Sequence, residues 1–270
     1  MDAKLERLQD ILRRAESVMV AFSAGVDSTF LLKIAHMVLG ERAIALTASS
    51  ATAPPGELVA ARAFAAGLGV RHIVLDSHEL ANPSFTQNPA NRCFFCKDEL
   101  YRICREQADL LGVATIMDGT NLDDLQDHRP GLKAANEWGV CHPLVEAEMT
   151  KNDIRRHSRE LNLPTWDKPS SPCLSSRFPY GTEINLERLN RIAACEQLLK
   201  ELGFREFRVR YHGDLARVEV AQEEFHRWFE KTTRDTVVQK FKQIGFHYVS
   251  LDLQGYRTGS MNESLQRSAT

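Results

Sequence analysis

The chain has 270 residues, enough for one large domain or for a domain with an appendage, and for a sizeable buried core. Lys and Arg number 34 against 36 Asp and Glu, a formal charge of −2, so no global basic excess is present to hold a long polyanion and a nucleic-acid substrate is disfavoured. Residues 1–7 lack an apolar signal core, and no stretch approaches the roughly 18 apolar residues that span a bilayer, which predicts a cytoplasmic protein with no membrane partner.

In chain order, a first amphipathic helix places Leu5, Leu8, Ile11, Leu12 and Ala15 on one face. Short apolar runs then alternate with helical periodicity through residue 163, with strand candidates at 18–22, 43–48, 72–76, 115–118 and 140–145. Continuous apolar runs separated by helices are what a parallel sheet covered on both faces requires, so residues 1–163 read as a doubly wound α/β domain. Ligands of such sheets bind beyond the carboxyl ends of the strands, where 23–28, 47–52 and Asp118-Gly119-Thr120-Asn121 gather.

Ser23-Ala24-Gly25-Val26-Asp27-Ser28 joins the first apolar run to an amphipathic stretch at 29–39 and reads as strand, phosphate loop and helix start. The competing reading is an ordinary strand-to-helix turn capped by Asp27 or Ser28. The segment resembles the S-G-G-x-D-S loop of the PP-loop ATP pyrophosphatases, with Gly25, Asp27 and Ser28 matching and Ala24 replacing the first glycine. That replacement predicts that position 24 does not need a positive φ.

Cys93-Phe94-Phe95-Cys96-Lys97 puts two thiols at a spacing that can hold one metal or cluster, with a cation beside them. A redox pair and plain core packing are the alternatives. The segment 151–159, with mixed charges, reads as a solvated helix face. From 164 to 181, Pro164, Pro169, Pro172, Pro179 and a serine cluster mark a long functional loop too irregular for helix or strand, and it carries Cys173. Three cysteines without an obvious fourth ligand suit a [4Fe–4S] cluster with one open iron better than closed tetrahedral zinc. Cys104 and Cys195 in helical segments, Cys141 on the last strand of the first domain, and the lone His72, His142 and His212 read as structural.

Beyond the linker come a helix at 186–202, strands at 205–211 and 215–220, helical segments around 223–230 and 236–244, and a last strand near 248–253. Together, residues 182–257 read as a small α+β domain, and the polar stretch 258–270 as a disordered tail.

Taken in order, the loop 23–28, the stretch from Asn91 to Tyr101, the run Asp118-Gly119-Thr120-Asn121-Leu122-Asp123-Asp124, the linker 168–177 and Phe207-Arg208-Val209-Arg210 resemble the LarE family along nearly the whole chain. That family comprises ATP-dependent sulfur insertases that build the nickel-pincer nucleotide cofactor of lactate racemase. The resemblance implies that Ser23, Gly25, Asp27 and Ser28 hold ATP phosphates and help place Mg²⁺, and that Gly119, Thr120 and Asp124 face the nucleotide. It implies that Lys97 binds a phosphate or an acyl-adenylate. Ser176, Arg177, Glu196, Arg208 and Arg210 are implied to surround the substrate's own phosphate and the sulfur-donor site. Cys93, Cys96 and Cys173 match the three-cysteine members, which use an iron–sulfur cluster as sulfur carrier, whereas one-cysteine members sacrifice the equivalent of Cys173 to dehydroalanine.

The substrate implied is pyridinium-3,5-biscarboxylic acid mononucleotide, with a sulfide donor and homo-oligomeric assembly. A PP-loop tRNA thiolase, a non-catalytic nucleotide- or redox-sensing regulator and an amidating synthetase are the rival expectations.

Overall fold

The computed structural model describes residues 2–126, 130–169 and 171–257. Helix α1 (Ala3–Arg14) starts at Asp2, whose carboxylate accepts the Lys4 N–H, and it buries Leu8, Ile11 and Leu12. Strand β1 (Val18–Ala21), α2 (Val26–Leu39), β2 (Ala43–Ser49), α3 (Glu57–Leu68) and β3 (Arg71–Asp76) follow. After the short α4 (Pro83–Thr86) come α5 (Arg92–Leu111), β4 (Thr115–Met117), α6 (Pro130–Glu137), α7 (Pro143–Glu146) and α8 (Lys151–Glu160). The remainder holds a 3-10 turn (Leu174–Arg177), α9 (Leu186–Glu201), β5 (Phe207–His212), β6 (Leu215–Val220), a 3-10 stretch (Gln222–Phe229), α10 (Lys231–Ile244) and β7 (Tyr248–Leu251). No described helix is long and apolar enough to cross a membrane.

The chain divides into two compact units, Met1–Glu79 with Asn91–Ser171, and Leu80–Ala90 with the chain from Pro172 onward. In the first unit the strands run parallel in the order β3-β2-β1-β4. Their pleat sorts the apolar residues onto two faces. Val18, Val20, Ala43 and Ala45 join Leu8 and Leu12 of α1 and Phe30 and Leu31 of α2. Met19, Ala21, Ile44 and Leu46 join Tyr101 and Ile103 of α5 and Ala134 of α6. With both faces covered, β1 and the first half of β2 have no polar side, whereas β3 at the sheet edge is only partly buried; each large apolar side chain fully buried contributes about 1.5–3 kcal/mol.

The run 140–145 is not a strand. Cys141 makes an isolated parallel bridge with Met117, and Pro143 opens α7 immediately afterwards. Proline offers no N–H to a ladder and pre-sets the φ of a first helical turn, so the apolar run bends into a helix.

The second unit holds a mixed sheet in the order β5-β6-β7, antiparallel between β5 and β6 and parallel between β6 and β7. Gly213, at φ +65°, allows the tight β5–β6 turn. Leu189, Ile192, Cys195 and Leu199 of α9 and Val237 and Phe241 of α10 are fully buried. The linker is not wholly irregular, since 174–177 forms a turn of 3-10 helix. The stretch 258–270, expected to be a disordered tail, lies outside the described residues.

Candidate active site

The chain leaves β1 toward β2 on one side and later returns through β4 on the other, which puts a topological switch point between β1 and β4. The loop 23–28 fills it. Ser28 Oγ accepts the Ser23 N–H at 3.3 Å and lies 3.1 Å from Ser23 Oγ, while the Gly25 N–H points at Ser23 Oγ at 3.4 Å. Gly25 is the N-cap of α2 and no side chain caps that helix, so the reading of a turn capped by Asp27 or Ser28 does not hold. Ala24 does adopt positive φ, +55°, contrary to expectation. Alanine enters the left-handed region at a modest cost, so the motif's glycine conformation survives without its glycine.

The strand-end residues after β4 back this loop. A Cβ on Gly119 would lie 2.8 Å from Ser28 N and 3.1 Å from the Asp27 carbonyl carbon, so glycine lets the two segments touch. Asn121 Nδ2 donates to Asp27 Oδ1 at 3.3 Å, the Asn121 N–H donates to Asp124 Oδ2 at 3.1 Å, and the Thr120 N–H donates to Asp118 Oδ1 at 3.0 Å. Ser23, Gly25, Asp27, Ser28, Gly119, Thr120 and Asp124 therefore lie at one sheet edge.

Two lysines absent from the sequence-derived site reach the same loop. Lys151 Nζ donates to Asp27 Oδ2. Lys168 Nζ donates to the Ala24 carbonyl at 3.0 Å and to Glu57 Oε2 at 2.6 Å. The helix α8 is thus not a purely solvated face: Ile154, His157 and Ser158 are buried, and a reciprocal Thr150–Asp153 cap fixes its start. The Thr150-x-x-Asp153 pattern could have located that start from sequence, but not the contact with Asp27. Another unforeseen residue is Glu79, 2% exposed, whose carboxylate accepts hydroxyl hydrogen bonds from Ser50, Thr52 and Ser77 and ties the loops after β2 and β3.

Lys97 belongs to a half-buried charged cluster. Its ammonium lies 5.3 Å from the Tyr101 ring centroid. The Tyr101 hydroxyl donates to Asp118 Oδ2 at 2.5 Å, and His142 Nδ1 shares a hydrogen bond with Asp118 Oδ1 at 2.7 Å. Interaction with Tyr101 raises the Lys97 pKa against the opposing effect of burial, with Asp118 and Cys96 adding to it. Burial opposes ionisation of Asp118, but the His142 hydrogen bond and the Lys97 charge outweigh it and hold the carboxyl well below its usual range. His142 is thus fixed by a carboxylate, and its buried Nε2 has no hydrogen-bond partner among the described residues.

Cys93 is exposed and Cys96 half-buried, one turn apart at the start of α5. Beside them Phe94, Phe95, Asn91, Pro130 and Lys133 line a largely apolar groove of about 320 Å³. Cys104 and Cys195 are fully buried, and burial pushes both thiols up, Cys104 to about 12, as suits packing residues. Cys141, placed outside a strand, is likewise raised by burial. Among the described residues no three His, Cys, Asp or Glu side chains are gathered to hold a metal ion. The donor chemistry of Cys93, Cys96 and Cys173 suits a cluster, since none of these thiols is fully buried, although the same is true of Cys141.

In the second unit half-buried Cys173 precedes the 3-10 turn, and Arg177, 1% exposed, organises it. Arg177 forks onto Glu196 through Nε–Oε1 and Nη2–Oε2 bonds of 2.8 Å each. Its Nη1 donates to the carbonyls of Pro172 and Cys173 and to Ser176 Oγ. Glu196 Oε1 also accepts the Val209 N–H at 3.0 Å. Arg210 forks onto Glu219 at 2.9 and 2.8 Å and donates to the Ser176 carbonyl at 2.8 Å. Buried Arg177, Glu196 and Arg210 and half-buried Ser176 therefore form one network around the backbone that carries Cys173, completed by buried Glu219, which sequence reasoning missed. Arg208 lies over Tyr256 at 5.0 Å, and burial together with the Arg177 charge lowers its pKa.

No protein-family model matches the chain. Among curated proteins, an uncharacterized protein of Synechocystis is 43% identical over 99% of this chain and 100% of its own length. The pyridinium-3,5-bisthiocarboxylic acid mononucleotide synthase of Lactiplantibacillus plantarum is 36% identical over 95% of this chain and 93% of its own. An uncharacterized protein of Methanocaldococcus jannaschii is 27% identical over 94% of this chain and 98% of its own. With more than a third of residues shared with that synthase along nearly the full length of both chains, this chain belongs to the LarE family of sulfurtransferase-type enzymes.

Proposed function

We propose that the protein is an ATP-dependent sulfur insertase that converts the carboxylates of pyridinium-3,5-biscarboxylic acid mononucleotide to thiocarboxylates in nickel-pincer cofactor biosynthesis. The observation that carries this reading is the loop 23–28 backed by Gly119 at a sheet switch point, in a chain similar to a synthase named for the bisthiocarboxylic acid product. A substrate carboxylate oxygen attacks the α-phosphorus of ATP, pyrophosphate leaves, and the acyl-adenylate carries AMP as a good leaving group. A sulfur nucleophile then displaces AMP. Repetition at the second carboxylate requires a second ATP.

In this reading Ser23, Gly25, Asp27 and Ser28 bind the pyrophosphate portion. The Asp27 carboxylate and the Ser28 hydroxyl are oxygen donors suited to Mg²⁺ shared with substrate phosphates. Gly119, Thr120 and Asp124 border the nucleotide, and Lys97 stabilises the adenylate charge. Arg208 is the guanidinium assigned to the substrate phosphate, while Arg177, Glu196, Arg210 and Ser176 hold the Cys173 segment and the phosphate site in shape. When bound at Cys93, Cys96 and Cys173, a [4Fe–4S] cluster would supply the transferred sulfur, replenished by a sulfide donor. A homo-oligomer in the cytoplasm is part of the same proposal.

The test is substrate-dependent pyrophosphate release with mass-spectrometric detection of a thiocarboxylate, on anaerobically purified protein assayed for iron and sulfide. Asp27→Ala and Ser28→Ala should abolish release with the fold intact. Thiolation of tRNA without thiolation of the nucleotide would establish the rival thiolase reading. Unchanged pyrophosphate release in both variants would show that the loop has another role.

A further inference from the structure

We propose that Lys151 and Lys168 are the triphosphate-gripping cations of the loop 23–28, a role assigned from their convergence on that loop and resting on the ATP-using reading above. They come from far along the chain: the Lys151–Asp27 bond spans 124 residues of sequence and the Lys168–Ala24 bond 144. One helix places both. The Lys151 N–H at the start of α8 donates to Asp123 Oδ2 at 2.8 Å, and Arg155, one turn on, donates to the carbonyls of Trp166 and Lys168 at 2.8 and 2.9 Å. The main chain of each lysine is therefore anchored independently of its ammonium.

The charge balance gives these ammoniums their role. Carboxylates crowd this edge: Asp27 on the loop, Glu57 against Lys168, and Asp123 and Asp124 beyond Gly119. A polyphosphate brought beside them meets repulsion unless cations intervene. Among the described residues, Lys151 and Lys168 donate from their ammoniums to the loop. An ammonium has three donors; Lys168 spends two, on Ala24 and Glu57, which orient the group and leave a third for a phosphate oxygen. Lys151, with its side chain 35% exposed, can bridge the Asp27 carboxylate and a phosphate. As a purely structural ion pair so exposed, it would add little to stability.

The test is equilibrium dialysis of the full chain with ATP, with non-hydrolysable α,β-methylene-ATP and with AMP, for wild type, Lys151→Gln, Lys168→Gln, Lys151→Arg and the distant charge control Arg14→Gln. Circular dichroism and a melting curve accompany each variant. Each glutamine variant should bind both triphosphates about tenfold more weakly or worse, as loss of one charge-assisted contact implies. AMP binding should stay within about twofold, since AMP lacks the gripped phosphates, and Lys151→Arg should recover part of the loss. Folded glutamine variants that bind ATP as tightly as wild type would overturn the assignment and leave the ATP reading standing. Wild type that binds no nucleotide would overturn both.

Discussion

Gly119 lies so close to the loop 23–28 that a Cβ added to it would sit 2.8 Å from the backbone nitrogen of Ser28. The atom met is main chain and cannot swing aside, so the loop must move. Gly119→Ala should therefore weaken ATP binding at least about tenfold at a stability cost on the order of 1–3 kcal/mol for overpacking. Dialysis and a urea melt on one sample check it. Wild-type affinity would mean that the loop has slack the geometry does not suggest.

Ala24 invites the opposite substitution. Its φ of +55° carries a penalty of about 1 kcal/mol that glycine does not have. Glycine's larger unfolded-state entropy takes back a similar amount. Ala24→Gly should thus leave the melting temperature unchanged within about two degrees, unlike the loss usual for Ala→Gly in regular structure. Ala24→Val, with a branched side chain at a 2% exposed position in left-handed backbone, should lower it clearly.

What the sequence discloses here depends on whether the information is local. The parallel strands write themselves as apolar runs because both faces are covered: β1 and β4 fall within the expected stretches, and β2 and β3 exceed theirs by one residue each, Ser49 and Arg71. The run at 140–145 misleads because its composition suits a strand while Pro143 dictates the backbone. The Ser28–Gly119 contact was foreshadowed by two motifs, but the contacts of Lys151 and Lys168 were not, since nothing near either residue encodes a partner more than 100 residues away. Glu219 was illegible for a related reason: on β6 it stands cross-strand from Arg208, yet it pairs diagonally with Arg210. That Leu80–Ala90 groups with the second unit is likewise a property of the folded chain.

The Arg210–Glu219 pair is buried at both ends, with Glu219 at 0% exposure. Removing one partner strands the other charge, so Glu219→Ala should cost about 3–5 kcal/mol. Glu106→Ala, which breaks a surface pair with Arg102, should cost about 0.5 kcal/mol or less. Urea unfolding followed by tryptophan fluorescence distinguishes the two, and equal costs would refute the argument.

The start of α8 carries a pH signature. Burial opposes ionisation of Asp153, but hydrogen bonds from Lys4 and Thr150 outweigh it and bring its pKa to about 2. An unfolded aspartate titrates near about 3.9. A depressed folded pKa means that the contribution is fully present above about pH 4 and is lost as pH falls toward 2. Asp153→Asn should lower stability at pH 7 by roughly 1 kcal/mol, the usual worth of a cap, and the deficit should vanish near pH 2. Melting curves between these limits decide; a constant deficit across the range would show that the carboxylate charge is not what matters.

The cluster of Tyr101, Asp118 and His142 should behave as a unit. Tyr101→Phe removes one donor yet leaves Asp118 with the His142 ring and the Thr120 N–H, so its cost should be about 1 kcal/mol. Asp118→Ala leaves the Tyr101 hydroxyl, the His142 Nδ1 and the charge of Lys97 without their common partner, and should cost about 3 kcal/mol or more. In the double variant the Tyr101 hydroxyl is no longer there to be stranded, so its cost should fall below the sum of the single costs by about 1 kcal/mol. Because the carboxyl of Asp118 is held below its usual range, the wild-type advantage over Asp118→Ala should be complete above about pH 4 and shrink as the solution is acidified further. Denaturant titrations of the four proteins measure the coupling directly. Strict additivity would show that the tyrosine and the carboxylate, though 2.5 Å apart, contribute independently.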